Sequence, residues 1–485
     1  MFYSYYSGKR IIALFICMFV FVFQEGLAET GSSVPGAFRG YINNIRKPTD
    51  YKNIPEITSY FCPHTITSEQ AEEDIEMVKY LFENAYSGRE YWGNQGIDFD
   101  SMYKELKSLA GKNDKVEVED IEKVITESLK DINDGHLVML GKARHRFYEH
   151  KDAFFSDLLL EKKQGKFVVI RSNIRDVPVG SIYYGPSSNL FLTLSPEDKN
   201  HYLLGVLSYD YKVFEKFKFN NTYVFVPLHP CRLSKFQQWS KNVYYQQKYN
   251  GVQIVTVTSF LNKHRDELIK FLDFARTLRK TPYIILNVCN NHGGNSDFAK
   301  LFFIYLNDTA QWMKHSAELD SPAVLQTFLK EDLNSLPVGI KKYYEFKLKC
   351  LRQMRRNPVR KWRIANIPLE RSYGSYNGRA VVLINRNVMS SGESTVSFAR
   401  SVKDSVIVGE NTAGIGTFGD IREYGLKHSK IRFIMPYKLF INRDCKEGEG
   451  FYPDYWLDSS RPLDEITRWL KQPDTYQFEP EFTVF

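Results

Sequence analysis

Residues 381–393 read Val-Val-Leu-Ile-Asn-Arg-Asn-Val-Met-Ser-Ser-Gly-Glu, and the order of residue types in this stretch sets the class of fold. The branched and apolar run Val381 to Ile384 fits a strand buried on both faces, as in parallel sheets covered by helices. Asn385-Arg386-Asn387 makes a short polar turn, and Ser390-Ser391-Gly392-Glu393 has the composition of a helix start, with Glu393 placed to complete a capping box. Strand, turn and helix together put a hydroxyl among the unpaired N–H groups at the positive end of a helix dipole, where developing negative charge is stabilised. Serine caps are common, so the stretch taken alone fits a structural cap as readily as a nucleophile.

Working outward, Val252 to Val257 and Tyr283 to Val288 read as strands around an amphipathic helix bearing Leu268, Phe271, Leu272, Ala275 and Leu278, a strand-helix-strand order that predicts an α/β core. Further strands are expected near Val406 to Val408 and Lys430 to Met435. Asn290-Asn291-His292-Gly293-Gly294-Asn295 joins one of these strands to a helical segment. Two adjacent glycines let backbone N–H groups approach a ligand closely, which makes Gly293 or Gly294 an oxyanion-donor candidate. The core is expected over 245–465, interrupted at 310–375 by a helix-favouring basic stretch that includes Lys341, Lys347, Arg352 and Arg360 and reads as a solvated face.

Toward the N-terminus, Lys9 and Arg10 precede the apolar run Ile11 to Phe23, and Gly26 and Ala28 suit cleavage after Ala28. That pattern predicts a signal peptide at 1–28 and export to a periplasm or the cell exterior, with no stable membrane insertion afterwards. A polar leader at 29–60 follows, then a helical domain at 61–145 opened by the capping-box sequence Thr67-Ser68-Glu69-Gln70 and ending in a last helical turn that delivers His136. A β-rich domain is expected at 146–240 and a C-terminal tail at 466–485. The formal charge of +8 is spread along the chain, which argues against a nucleic-acid partner. Cys62-Pro63-His64 and His229-Pro230-Cys231 carry zinc-ligating types, but at spacing tighter than structural zinc sites use, so no metal is assigned. Oligomeric state is not legible.

The motifs taken in order resemble the C-terminal processing and tricorn core peptidase family of serine proteases. The resemblance runs through Asp134-Gly135-His136, Asn287-Val288-Cys289-Asn290-Asn291-His292-Gly293-Gly294, Ser390-Ser391-Gly392-Glu393, the segment Gly409 to Thr417, and Glu447-Gly448-Glu449-Gly450-Phe451-Tyr452-Pro453-Asp454. It implies a crotonase/ClpP-like core of β-β-α units, a PDZ-like β domain at 146–240, polypeptide substrates, and catalysis without a cofactor. It further implies Ser390 as nucleophile, His136 as general base, Glu447 as supporting acid, and backbone N–H groups of Gly293 or Gly294 and Ser391 as the oxyanion hole. Ile415 stands where processing peptidases carry a lysine, and an aliphatic side chain accepts no proton, so the implied arrangement is the tricorn-like one. Asn287 and Cys289 replace the usual Asp and Arg, which is expected to loosen the glycine loop. The alternatives are a peptide-binding or assembly protein on the same scaffold, and a serine hydrolase of non-peptide acyl substrates.

Overall fold

The computed structural model describes residues 46–112, 114–195, 200–236, 241–312, 314–330, 338–366, 372–441 and 444–471; the expected signal peptide lies outside them. No helix among the described residues is long and apolar enough to cross a membrane. The chain is a mixed α/β protein, as expected, and it forms two compact units.

One unit is built from Met1–Phe147, His315–Ile367 and Phe418–Ile441. Its helix Ser68–Asn84 starts as the sequence predicts: Gln70 N–H donates to Thr67 Oγ1 at 3.3 Å and Thr67 N–H donates to Gln70 Oε1 at 3.0 Å. Ile75, Val78, Leu81 and Phe82, spaced to share one helix face, are buried in the unit's core. The accompanying sheet runs Arg46–Pro48, Val359–Asn366, His315–Asp320, Arg432–Ile441, Asp134–Leu140, Arg144–Phe147, with Phe418–Gly425 also paired to Arg432–Ile441.

Three expectations are corrected here. His136 does not close a helix: the helix ends at Ser128, and His136 stands on the strand Asp134–Leu140. The segment 310–375 is not simply helical, because two strands bracket its helix Val338–Met354 and carry it into this sheet. Nor is all of its charge solvated. Lys347 is fully buried, with its Nζ donating to Glu318 Oε2 at 2.8 Å and Asp320 Oδ1 at 2.5 Å. Lys438 reaches Glu318 Oε1 at 2.9 Å and Asp420 Oδ2 at 2.5 Å, and Arg363 pairs with both Glu318 and Asp320. Burial would raise the Glu318 carboxyl, yet Lys438, Lys347 and Arg363 outweigh it and hold it well below the usual carboxylate range. A helical charge run looks solvated only until a neighbouring strand supplies the matching acids.

The other unit is built from Tyr148–Lys314, Pro368–Thr417 and Asn442–Phe485. Its large sheet places the parallel strands Tyr455–Trp456, Val406–Gly409, Arg379–Ile384, Tyr283–Asn287 and Val252–Val257 side by side, with Tyr244–Tyr249 antiparallel at the end. The β-rich stretch is no separate domain. Its strand Leu190–Thr193 pairs with Tyr455–Trp456, and the sheet continues through His201–Ser208, Asp152–Lys163, Lys166–Arg171, Ile182–Tyr183 and Phe214–Phe219 to an edge at Thr222–Pro227. The expected C-terminal tail begins as the helix Pro462–Leu470, whose Ile466, Trp469 and Leu470 are buried in the same core.

Candidate active site

In the strand Arg379–Ile384 the unbroken apolar run Ala380 to Ile384 is buried throughout, and the chain then turns through Asn385-Arg386-Asn387 into the helix Ser391–Ala399. Ser390 sits at the joint with φ 52° and ψ −115°. A non-glycine residue with positive φ costs on the order of 1–3 kcal/mol and persists only where its surroundings hold it. The holder is Glu393, almost fully buried, whose Oε2 accepts the Ser390 N–H at 3.0 Å. Glu393 also accepts the Thr412 hydroxyl at 2.6 Å and the N–H groups of Gly414 at 2.7 Å and Ile415 at 2.9 Å. Burial pushes this carboxyl up, and the four donors draw it part of the way back. The capping box expected from the sequence is present, and Glu393 anchors the turn beyond it.

The glycine loop lies against that turn. Gly293 has φ +89°, and a Cβ there would come within 2.8 Å of Met389 O and 3.0 Å of Ser391 N. Gly294, at φ +133°, would meet Phe260 backbone at 2.3 Å. Only glycine meets both requirements, positive φ and close approach. Ser391 Oγ donates to Gly294 O at 2.6 Å, which ties the helix start to the loop. Phe260 N–H donates to Gly293 O at 2.9 Å and Asn295 N–H to Phe260 O at 2.8 Å, so this bridge does not use the Gly294 N–H. Gly293 N–H, by contrast, is donated to Asn291 Oδ1 at 2.9 Å.

Asparagines that carry no signal of their own in the sequence hold this geometry. Asn291 Nδ2 donates to Val257 O at 3.0 Å, and its carbonyl accepts Met389 N–H at 2.9 Å. Asn385 Oδ1 accepts Asn290 N–H at 3.0 Å, while Asn385 and Asn387 both donate to Asn290 Oδ1, at 3.1 and 2.9 Å. Asn287 Oδ1 accepts Cys289 N–H at 3.1 Å, so the residue expected to loosen the loop instead closes its first turn. The repeated asparagines in 287–291 and 385–387 are the signal that could have revealed the lattice: a primary amide both donates and accepts, and a pair of loops can be stitched through such groups without burying charge.

Glu447 lies nearby in the fold of the same unit, its Oε2 accepting the N–H groups of Thr417 at 2.8 Å and Gly416 at 3.2 Å. Ile415, expected at the position of the processing peptidases' lysine, is a buried aliphatic residue. A small pocket of about 10 Å³ lies beside Ser390, lined by Ser394 and Ser397 on one face of the helix and by Cys445, Phe451 and Lys314. Cys445 is no rival nucleophile, since burial pushes its thiol far up and keeps it protonated.

His136 belongs to the other unit, where its N–H donates to Asp134 Oδ1 at 2.8 Å. Leu137 N–H donates to the same oxygen at 3.2 Å and the Tyr86 hydroxyl to Oδ2 at 2.9 Å, fixing the strand start that bears the histidine. Complete burial pushes Asp134 up to about 7 despite these donors. Cys62 and His64 fall in this unit, and His229 and Cys231 in the other. Cys231 Sγ faces Leu457 O at 3.5 Å, and among the described residues no group of His, Cys, Asp and Glu is arranged to hold a metal ion.

Residues 251–457, which include this turn, match the model of peptidase family S41. No curated protein matches the chain. Among solved structures the chain is similar to mature CPAF complexed with lactacystin, at 12 % identity and TM-score 0.41, covering 83 % of this chain and 96 % of that one. It is also similar to the photosystem II D1 C-terminal processing protease, at 12 % identity and TM-score 0.38 over 84 % and 98 %. A putative peptidase from Parabacteroides merdae gives 11 % identity and TM-score 0.40 over 82 % and 93 %.

Proposed function

We propose that the protein is an exported serine peptidase in which Ser390 forms an acyl-enzyme and His136 is the general base. The observation that carries this reading is the strained Ser390 backbone, pinned by a buried carboxylate at a helix N-terminus. A structural cap needs no such strain. Ser390 Oγ attacks the scissile carbonyl carbon while His136 takes its proton; the proton then passes to the leaving amine as the C–N bond breaks, and water hydrolyses the ester by the same route in reverse. The Ser391 and Gly294 N–H groups stabilise the tetrahedral oxyanion, Gly294 being preferred to Gly293 because the latter's N–H is already given to Asn291. Glu447 supports the imidazolium, its carboxylate held in place by two backbone N–H groups.

A fluorophosphonate probe followed by mass spectrometry tests this without a known substrate. The expected adduct is on Ser390, absent in Ser390→Ala and strongly reduced in His136→Ala. An adduct on another serine, or full labelling of His136→Ala, overturns the assignment.

A further inference from the structure

The far edge of the large sheet carries a surface the peptidase chemistry does not use. Phe217, Phe219, Val226 and Tyr183 point into a core, so the alternate residues of the same strands point outward. Register places them in rows: Lys218 opposite Tyr223, Lys216 opposite Phe225, and Phe214 opposite Pro227. Tyr184, whose N–H donates to Lys218 O at 2.9 Å, extends the first row. This outer face is strongly exposed, with Tyr184 at 52 %, Phe214 at 57 %, Tyr223 at 60 % and Phe225 at 68 %. The two lysines make no ion pair among the described residues. They lie over the rings instead, Lys216 Nζ at 4.9 Å from the Tyr223 centroid and 5.8 Å from Phe225, and Lys218 Nζ at 5.9 Å from Tyr223. The neighbouring acid Glu215 is on the opposite side of its strand, turned back with its carboxylate accepting Lys216 N–H at 3.1 Å.

From this juxtaposition of exposed rings and unpaired lysines on one sheet face, we infer that the protein docks on an anionic membrane surface. Contiguous exposed apolar surface marks an interaction site. Its composition selects the partner: lysine is depleted from protein interfaces, whereas phenylalanine and tyrosine interleaved with lysine suit a lipid headgroup layer, where rings sink to the boundary and ammonium groups remain among phosphates. Single-stranded nucleic acid would also stack on rings, but two cations on a short face give its backbone little to follow. Docking of this kind is peripheral and involves no spanning segment.

The test is vesicle co-sedimentation of the chain from residue 29, which keeps every described residue and removes the apolar run that would partition on its own. Binding is expected to vesicles of phosphatidylcholine with phosphatidylglycerol, and not to phosphatidylcholine alone, and to vanish in concentrated salt. Lys216→Gln/Lys218→Gln should weaken it about 30-fold, at about 1 kcal/mol per lysine. Tyr223→Ser/Phe225→Ser should weaken it at least tenfold with an unchanged circular dichroism spectrum. Absence of binding to the anionic vesicles, equal binding by both variants, or a patch that proves instead to mediate self-association or oligonucleotide binding overturns the inference.

Discussion

The turn that carries Ser390 and the sheet that carries Lys347 solve the same problem, holding buried polar groups in fixed positions, by opposite means. Around Ser390 the work is divided among neutral amides, Asn287, Asn290, Asn291, Asn385 and Asn387, with the carboxylate of Glu393 held by hydroxyl and backbone N–H donors. In the other unit, Glu318, Asp320 and Asp420 are matched against Lys347, Arg363 and Lys438. Amides fix direction at modest energy. Ion pairs carry large opposing terms, so they are tolerant while intact and costly when one member is removed.

The largest effect should come from the ionic side. Lys347→Met leaves Glu318 and Asp320 short of a buried cation and is expected to cost about 3–5 kcal/mol in denaturant unfolding, while turnover per folded molecule stays unchanged. A loss under 1 kcal/mol would mean that Arg363 and Lys438 suffice. Asn291→Ala should cost less in stability, about 2–4 kcal/mol for two stranded backbone groups, but lower kcat about 100-fold or more with KM little changed, because the oxyanion loop loses its tie. Equal kcat in that variant would show that the amide lattice is structural only. Thr412→Val, which removes a hydroxyl that donates to Glu393 and accepts Phe451 N–H, should cost about 1–2 kcal/mol.

The last contrast is a pH trend. Glu318 is depressed and Asp134 is raised to about 7 within one unit, so they act with opposite sign. The stability due to Glu318 is present above its unfolded value and is lost as pH falls, whereas that due to Asp134 is full below its unfolded value, near pH 4, and is lost as pH rises to about 7. The stability advantage of wild type over Asp134→Asn should therefore shrink from pH 4 to 7 and level off above. A difference that grows over that range would show that the three donors, not burial, govern Asp134.

These contrasts also explain what the sequence reveals. The apolar run before Asn385, the paired glycines and the serines are legible because each obeys a local rule: buried strand, close backbone approach, helix start. Glu393 is legible only as a cap, since its contacts with Thr412, Gly414 and Ile415 join positions about 20 residues distant. Lys347 misleads because the acids that bury it come from a strand 27 and 29 residues away. The β-rich stretch looks like a domain because its strands are locally regular, and nothing nearby in sequence announces that Tyr455–Trp456 is their neighbour.

That short strand has a kinetic consequence. Tyr455–Trp456 lies between Leu190–Thr193 and Val406–Gly409, so the two halves of the large sheet are joined by a piece of chain made some 260 residues after its partner Leu190–Thr193 has been synthesised. Sheets closed by such distant pairings fold slowly, since loop-closure entropy is lost before any contact compensates it. A ribosome-bound chain lacking residue 455 cannot complete this sheet. The sheet therefore closes only after residue 456 has emerged, and until then its two halves expose unpaired strand edges.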